Sequence, residues 1–399
     1  MPLKNYIVIT FLFLAITITA QENPNILVII TDQHSGSVLS QRGYSYIETP
    51  GIDKIADQGV VFTRSYCTYP VCTASRKSFM TGMMPSKATP VNYPSIATLL
   101  AANGYKTAYM GKWHVGSTDI NDVSDWHGFQ TYRDGHQDTE IKEWTTNYIK
   151  QEHSKPFFLI SSFLNPHDCC ELARNISGAN DSYHDGAVVE DKDTASCPPL
   201  PHNFIIPENE AEGISARRNQ DPGDKYWSTN PYKGWTRSQW RQYMYGYDRL
   251  VEKVDAHVKE VVDELENQGL LDNTIIIYTS DHGDGHASHQ WTQKKTFYEE
   301  VVNIPFIVSW KGKTKAGVID EETLVSNGLD LYPTILKMAG IVIPEYLPGE
   351  NLSGNFLAEP GDASLVDREY VVSEIKQKVY KSNTPGNFEG RMVVTDKFK

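Results

Sequence analysis

After Asn25 the chain runs Ile26-Leu27-Val28-Ile29-Ile30, an unbroken apolar stretch that is β-branched in places. A segment this short and continuous has no polar face to turn to water. It fits a strand buried on both sides inside a parallel sheet. Parallel neighbours need crossovers that lie over the sheet, and helices usually supply them. The same grammar recurs. Lys106 to Met110, Pro156 to Phe163, Thr274 to Tyr278 and Ile304 to Trp310 read as further strands. Between them lie helical stretches. One opens at Thr49-Pro50, with Thr49 as N-cap and Pro50 in the first turn. Another runs from Ser95 to Ala102 and ends before Gly104. A long one runs from Arg237 to Gln268, with Gly269 as its stop. Within it Leu250, Val254, Val258, Val261 and Leu265 form an apolar stripe at spacings of three and four. The expectation is an α/β fold with a mostly parallel central sheet flanked by helices.

The flanking segments read differently. Lys4 precedes an apolar run that ends in small residues at Ala20, the pattern of a secretory signal peptide cleaved near that residue. The run is shorter than the roughly 20 apolar residues a membrane helix needs, and no later segment is long and apolar enough to span. Residues 21–345 read as one catalytic α/β unit. Within it, 168–233 is rich in Asn, Asp, Pro, Gly and Ser and reads as a loop-rich insertion. Residues 346–399 begin a smaller antiparallel C-terminal subdomain, with strands at Glu369–Ser373 and Arg391–Thr395. The sequence stops straight after the second, so this subdomain reads as truncated. A net charge of −13 argues against a nucleic-acid partner; an anionic substrate would need cations gathered locally. Five cysteines in an exported chain leave room for two disulfides, drawn from Cys67, Cys72, Cys169, Cys170 and Cys197, and one odd thiol.

Polar residues gather just past the apolar strands: Asp32 and Gln33, Lys112 and His114, His167, then Asp281 and His282. One Asp after a strand is ordinarily a turn or cap residue. Several at one sheet edge, the edge where open α/β sheets bind ligands, point to a site. Oxygen-rich groups from two strand ends suit a hard cation such as calcium. Cys72 and Arg76 stand four apart, on one face of a helix.

These residues carry a resemblance. Cys72-Thr73-Ala74-Ser75-Arg76, with Met80-Thr81-Gly82 downstream, resembles the sulfatase signature Cys-x-Pro/Ala-Ser-Arg followed by Thr-Gly. Gly111-Lys112-Trp113-His114-Val115-Gly116, Thr279-Ser280-Asp281-His282-Gly283, Lys294-Lys295-Thr296-Phe297-Tyr298-Glu299-Glu300 and Leu331-Tyr332-Pro333-Thr334 resemble further blocks of that family, in family order. The resemblance implies the alkaline-phosphatase-like sulfatase fold. It also implies oxidation of Cys72 to formylglycine, whose hydrate attacks sulfur with one calcium ion bound. Asp32, Gln33, Asp281 and His282, with the converted Cys72, would be the calcium ligands. Arg76 would orient the nucleophile, and Lys112 and Lys294 would hold sulfate. His114 would be the base that releases sulfate, and His167 a partner at the leaving oxygen.

The chain departs from the family pattern twice. Ala74 replaces the commoner Pro, which points to the oxygen-independent radical maturation enzyme as partner. Gln33 stands where many relatives carry a second Asp. Asp284, His286, His289, Gln290 and Trp291 form a polar, aromatic stretch beside the ligands, with His286, His289 and Trp291 as candidate substrate contacts. The His286-x-x-His289 spacing also admits a second metal. A secreted or periplasmic enzyme of this kind is expected to desulfate a polysaccharide or oligosaccharide. The alternatives are a phosphonate or phosphodiester hydrolase of the same superfamily, and an inactive glycan-binding relative.

Overall fold

The computed structural model describes residues 23–88, 93–115, 127–186, 194–219, 232–361, 363–381 and 384–399, with the side chains of 377–388 left aside. The expected signal peptide lies outside the described residues. Twelve strands are described: β1 Asn25–Asp32, β2 Gly59–Phe62, β3 Ser65–Tyr66, β4 Lys106–Gly111, β5 Thr131–Arg133, β6 Phe157–Pro166, β7 Thr274–Ser280, β8 Phe306–Trp310, β9 Val318–Asp320, β10 Val325–Ser326, β11 Tyr370–Lys381 and β12 Thr384–Thr395. Eight form one sheet in the order β5-β4-β6-β1-β7-β8-β2-β9. The five from β5 to β7 are parallel; β8 runs antiparallel to both β7 and β2. The apolar run of β1 is at its centre, between β6 and β7, and every residue of β1 is buried. Its two faces feed two separate cores: Ile26, Val28 and Ile30 pack on one side, Leu27 and Ile29 on the other. This is the mostly parallel, doubly covered sheet expected from the sequence.

The long helix spans Arg237–Asn267, and its stripe from Leu250 to Leu265 is fully buried. Thr236 caps it in a reciprocal pair with Gln239. The helix Pro50–Ala56 opens as expected, but Thr49 does not cap it. The Thr49 hydroxyl donates to Asp53 Oδ1 instead. The first turn is capped from a distance by Asp255 of the long helix, which accepts from Gly51 N at 3.0 Å and Ile52 N at 2.7 Å. Strand β2 and the helix Asp138–Ile149 had no sequence expectation.

Among the described residues of the segment read as loop-rich are two short helices, Cys169–Ile176 and Glu212–Arg218. The room the cysteine count left for disulfides is not used. All five cysteines are free and buried; no disulfide forms among them. The two C-terminal strands are longer than expected and pair with each other in one antiparallel hairpin. Its inner residues Val371, Met392 and Val394 pack on Tyr66, Val302, Ile304 and Leu324. An isolated two-stranded hairpin is marginal in water, and this packing supplies the support it needs. Among the described residues no helix is long and apolar enough to cross a membrane.

Candidate active site

The carboxyl ends of β1, β4, β6 and β7 lie side by side, which is why residues far apart in sequence meet there. Asp32 ends β1, and Asp281 and His282 follow β7. The helix Cys72–Thr81 points its first residue at the same place. One ligand atom each from Asp32, Cys72, Asp281 and His282 lies within 4.8 Å of the others, and all four residues are buried.

Two atoms there lack hydrogen-bond partners: Asp32 Oδ1 and His282 Nε2. They lie 3.7 Å apart, and Asp281 Oδ1 is 3.5 Å from His282 Nε2. Buried polar atoms are almost always satisfied, so orphans converging on one point suit a cation. The His282 tautomer agrees. Its Nδ1 lies 2.9 Å from the Gly283 carbonyl, so Nδ1 carries the hydrogen and Nε2 keeps a lone pair. The residues present therefore fit a metal ion held by two carboxylates and one imidazole.

Arg76 organises the cluster. Its Nε donates to Asp281 Oδ2 at 2.7 Å and a terminal nitrogen to Asp32 Oδ2 at 3.2 Å; the other reaches the Lys112 carbonyl at 2.6 Å and Ser162 Oγ at 2.7 Å. Lys112 Nζ lies 2.6 Å from Asp32 Oδ2. Placing Lys112 depends on Gly111. At φ +112 it ends β4, and a Cβ there would sit 2.0 Å from the Ser162 carbonyl. Only glycine permits that approach, and Lys112 N then donates to the same carbonyl at 2.9 Å.

Burial works against charge on Asp32, yet Lys112 chiefly, with Lys294 and Arg76, holds its carboxyl well below the usual range. Asp281 moves the other way, pushed up by burial and by Asp32. Burial raises the Cys72 thiol, but Lys294 chiefly, with Lys112, outweighs it and holds the thiol well below its ordinary value. Lys294 Nζ lies 3.7 Å from Cys72 Sγ and 4.0 Å from Asp32 Oδ1. His167 is kept neutral by burial and by Lys112 and Lys294, and its Nδ1 has no protein partner. His114 is exposed at φ +46, with Nε2 3.1 Å from Thr73 Oγ1, one residue past Cys72. The structure thus gathers Asp32, Cys72, Arg76, Lys112, His114, His167, Asp281, His282 and Lys294.

Four expected residues are not brought to it in the expected way. Gln33 does not offer its side chain as a ligand to the cluster: Nε2 donates to Asp284 Oδ2 at 2.8 Å, and Oε1 lies 3.9 Å from Cys170 Sγ. An amide that donates to a carboxylate has its orientation fixed. His286 is buried with Nε2 3.1 Å from Asp248 Oδ1, and Trp291 is buried among Tyr232, Trp240 and Val301. Both are core residues and present no face to a substrate. His289 is half-buried and stacks on Tyr298 with ring centroids 4.3 Å apart. His286 and His289 therefore have separate partners and do not act as a metal pair.

Asp284 is what the sequence reading undervalued. Fully buried, it accepts from Gln33 Nε2, from Tyr243 Oη at 2.9 Å, from His286 N at 2.8 Å and from Gln293 N at 2.7 Å. It ties β1, the long helix and the loop that delivers Lys294 to one carboxylate. No local pattern marks such a hub, because it joins its own loop to two distant segments, at Gln33 and Tyr243.

The family model described as Sulfatase matches residues 24–341. A Delta 4,5-hexuronate-2-O-sulfatase from Bacteroides thetaiotaomicron is 27% identical over 95% of this chain and 80% of its own length. An N-acetylglucosamine-6-O-sulfatase from the same organism is 26% identical over 83% of this chain and 70% of its own. The solved structure of a 2-O GAG sulfatase is similar with a TM-score of 0.77 and 25% identity, over 94% of this chain and 81% of that one.

Proposed function

Because the chain belongs to the sulfatase family and is a sulfuric ester hydrolase, we propose that it removes sulfate esters from a sulfated carbohydrate, with position 72 matured to formylglycine and one calcium ion held by Asp32, Asp281, His282 and the converted residue. The observation that carries this reading is the convergence of Cys72 with Asp32, Asp281 and His282 within 4.8 Å. The carbohydrate is supported by the sugar sulfates named for the two curated relatives. The notional leader to Ala20 would carry the chain out of the cytoplasm, and Ala74 favours the oxygen-independent radical maturase.

Cys72 Sγ stands where the oxygens of the aldehyde hydrate would be. One hydrate hydroxyl loses its proton to solvent as its oxygen attacks sulfur, the sulfur–oxygen bond to the sugar breaks, and the sugar alcohol departs with a proton delivered at its oxygen. The ammonium of Lys294 is the donor proposed there, with the neutral imidazole of His167 as a hydrogen-bonding partner to the leaving oxygen. The second hydroxyl then gives its proton to His114, the carbon–oxygen bond to sulfate breaks, and the aldehyde returns. Lys112 and Lys294 hold the sulfate oxygens. Arg76 keeps Asp32 and Asp281 charged and aimed. Calcium, when bound, supplies positive charge that lowers the cost of ionising the hydrate. Gln33 is assigned to holding Asp284 rather than the metal.

Sulfate release from sulfated oligosaccharides, measured beside cleavage of phosphodiester and phosphonate esters, tests the reading. Turnover of the sulfate esters that is abolished by Cys72→Ala supports it. A strong preference for phosphodiesters contradicts it.

A further inference from the structure

Between the first turn of the Cys72 helix and the hairpin β11–β12 lies a cavity of about 620 Å³. A second of about 250 Å³ adjoins it; both are lined by Tyr69, Ala74, Pro85 and Lys376. The smaller one reaches Thr73, Lys77 and Lys295, which places it beside Cys72 and Lys294. None of the roles proposed for catalysis uses this space.

Its charge is opposite to that of the chain. The two cavities together carry Lys77, Lys295, Lys376 and Arg391 against Glu374 and Glu389, on a protein of net charge −13. The carboxylates are already engaged. Glu374 is nearly buried; one oxygen accepts from Ser86 N at 2.5 Å and the other lies 4.0 Å from Arg391 Nε. Glu389 pairs at the surface with Lys376 Nζ at 2.5 Å, an exposed pair that a bound anion can share. Lys77 makes no ion pair among the described residues. The wall is also fixed in place. Tyr69 Oη accepts from Lys376 N and donates to Lys376 O, each at 2.6 Å, so the strand bearing Lys376 is tied to a residue three before Cys72.

Lys112 and Lys294 already provide the cations for the sulfate under attack. We propose that this basic cavity binds a second anionic group of the same substrate, a carboxylate or a further sulfate on the same or a neighbouring sugar ring, with Lys77 and Lys376 as its contacts. The inference rests on the carbohydrate sulfatase reading and narrows it: the substrate is a polyanionic saccharide, and the hairpin is part of its binding surface.

The test uses the full mature chain, with conversion at position 72 confirmed by peptide mass. Three saccharides bearing the same scissile sulfate are compared: one otherwise neutral, one with an added uronate carboxylate, one with an added sulfate. At low salt, kcat/KM for at least one dianionic substrate should exceed that of the neutral one about tenfold. Lys77→Ala and Lys376→Ala should each cut that ratio about threefold while changing the neutral substrate less than twofold, and added salt should narrow the ratio. Which dianionic substrate gains shows whether the site takes carboxylate or sulfate. Equal kcat/KM for all three substrates overturns the proposal, as does a loss in the variants that is the same for neutral and dianionic substrates. Sulfate release from none of them overturns the carbohydrate sulfatase reading itself, and this inference with it.

Discussion

The two lysines closest to Asp32 reach it on supports built in opposite ways. Lys112 follows β4 directly, and a sheet hydrogen bond, a glycine and the Arg76 guanidinium fix it. Lys294 arrives on a loop in which His286, Ala287, His289, Gln290, Gln293 and Lys295 all have positive φ. Non-glycine residues rarely hold that conformation unless their surroundings impose it. Here the surroundings are Asp284, which takes the His286 and Gln293 amides, and the Pro70 carbonyl, which takes Lys295 N at 3.0 Å just ahead of the Cys72 helix. The strand end is rigid because the sheet is. The loop is rigid because one buried carboxylate holds it.

The contrast makes predictions of decreasing size. Arg76→Ala should strike the strand-end support hardest, since it removes the buried cation that bridges Asp32 and Asp281. Removing one partner of a buried ion cluster costs about 3–5 kcal/mol, read as a lower denaturant midpoint with an unchanged slope. Lys294→Ala should leave the midpoint nearly in place and lower turnover by about 10²–10³, the usual effect of deleting one preorganised electrostatic group. Parallel losses of stability and turnover would show that Lys294 is structural. Asp284→Ala should cost about 3 kcal/mol by stranding several buried donors, and should lower turnover too, although Asp284 is assigned no chemical step. If turnover survives this change while stability falls, the loop does not need its carboxylate to place Lys294.

The strand-end side also predicts acid sensitivity. His34, two residues past Asp32, is fully buried between Tyr278 Oη and the Val38 carbonyl. Burial lowers its pKa from 6.5 to about 4, against the Val38 hydrogen bond. The unfolded chain therefore binds the proton more readily than the folded one. The contribution to stability is complete above pH 6.5 and is lost as pH falls towards about 4. Between pH 7 and pH 5 it amounts to about 2 kcal/mol, from the linkage of proton binding to folding. Unfolding midpoints followed across that range should show the decline, and His34→Gln should remove this part of it.

What the sequence made legible follows the same division. Strands β1 and β7 and the start of β6 announce themselves as apolar runs, because they are buried on both faces. The polar residues after them are then legible as a site, and Asp32, Lys112, Asp281 and His282 do meet. Arg76 was placed beside Cys72 by helical spacing alone. The loop was not legible in this way. Histidines and a tryptophan in a polar stretch suggest sugar contacts, yet His286 and Trp291 are buried by partners on the long helix, Asp248 and Trp240, that no local pattern names. The direction of the Gln33 amide was hidden for a related reason: its neighbours in space, Asp284 and Cys169, decide where it points. Thr49 sat where a cap belongs, and Asp255 supplied the bonds.

Everything proposed for the chemistry depends on what stands at position 72. The direct measurement is the mass of the peptide containing Cys72 from protein purified from its native host. Conversion to formylglycine predicts a species about 18 Da lighter than the unmodified peptide, reactive towards a hydrazide or oxime reagent as an aldehyde must be. A peptide found only with an intact thiol or in a disulfide, in a preparation that nonetheless releases sulfate, would contradict the account.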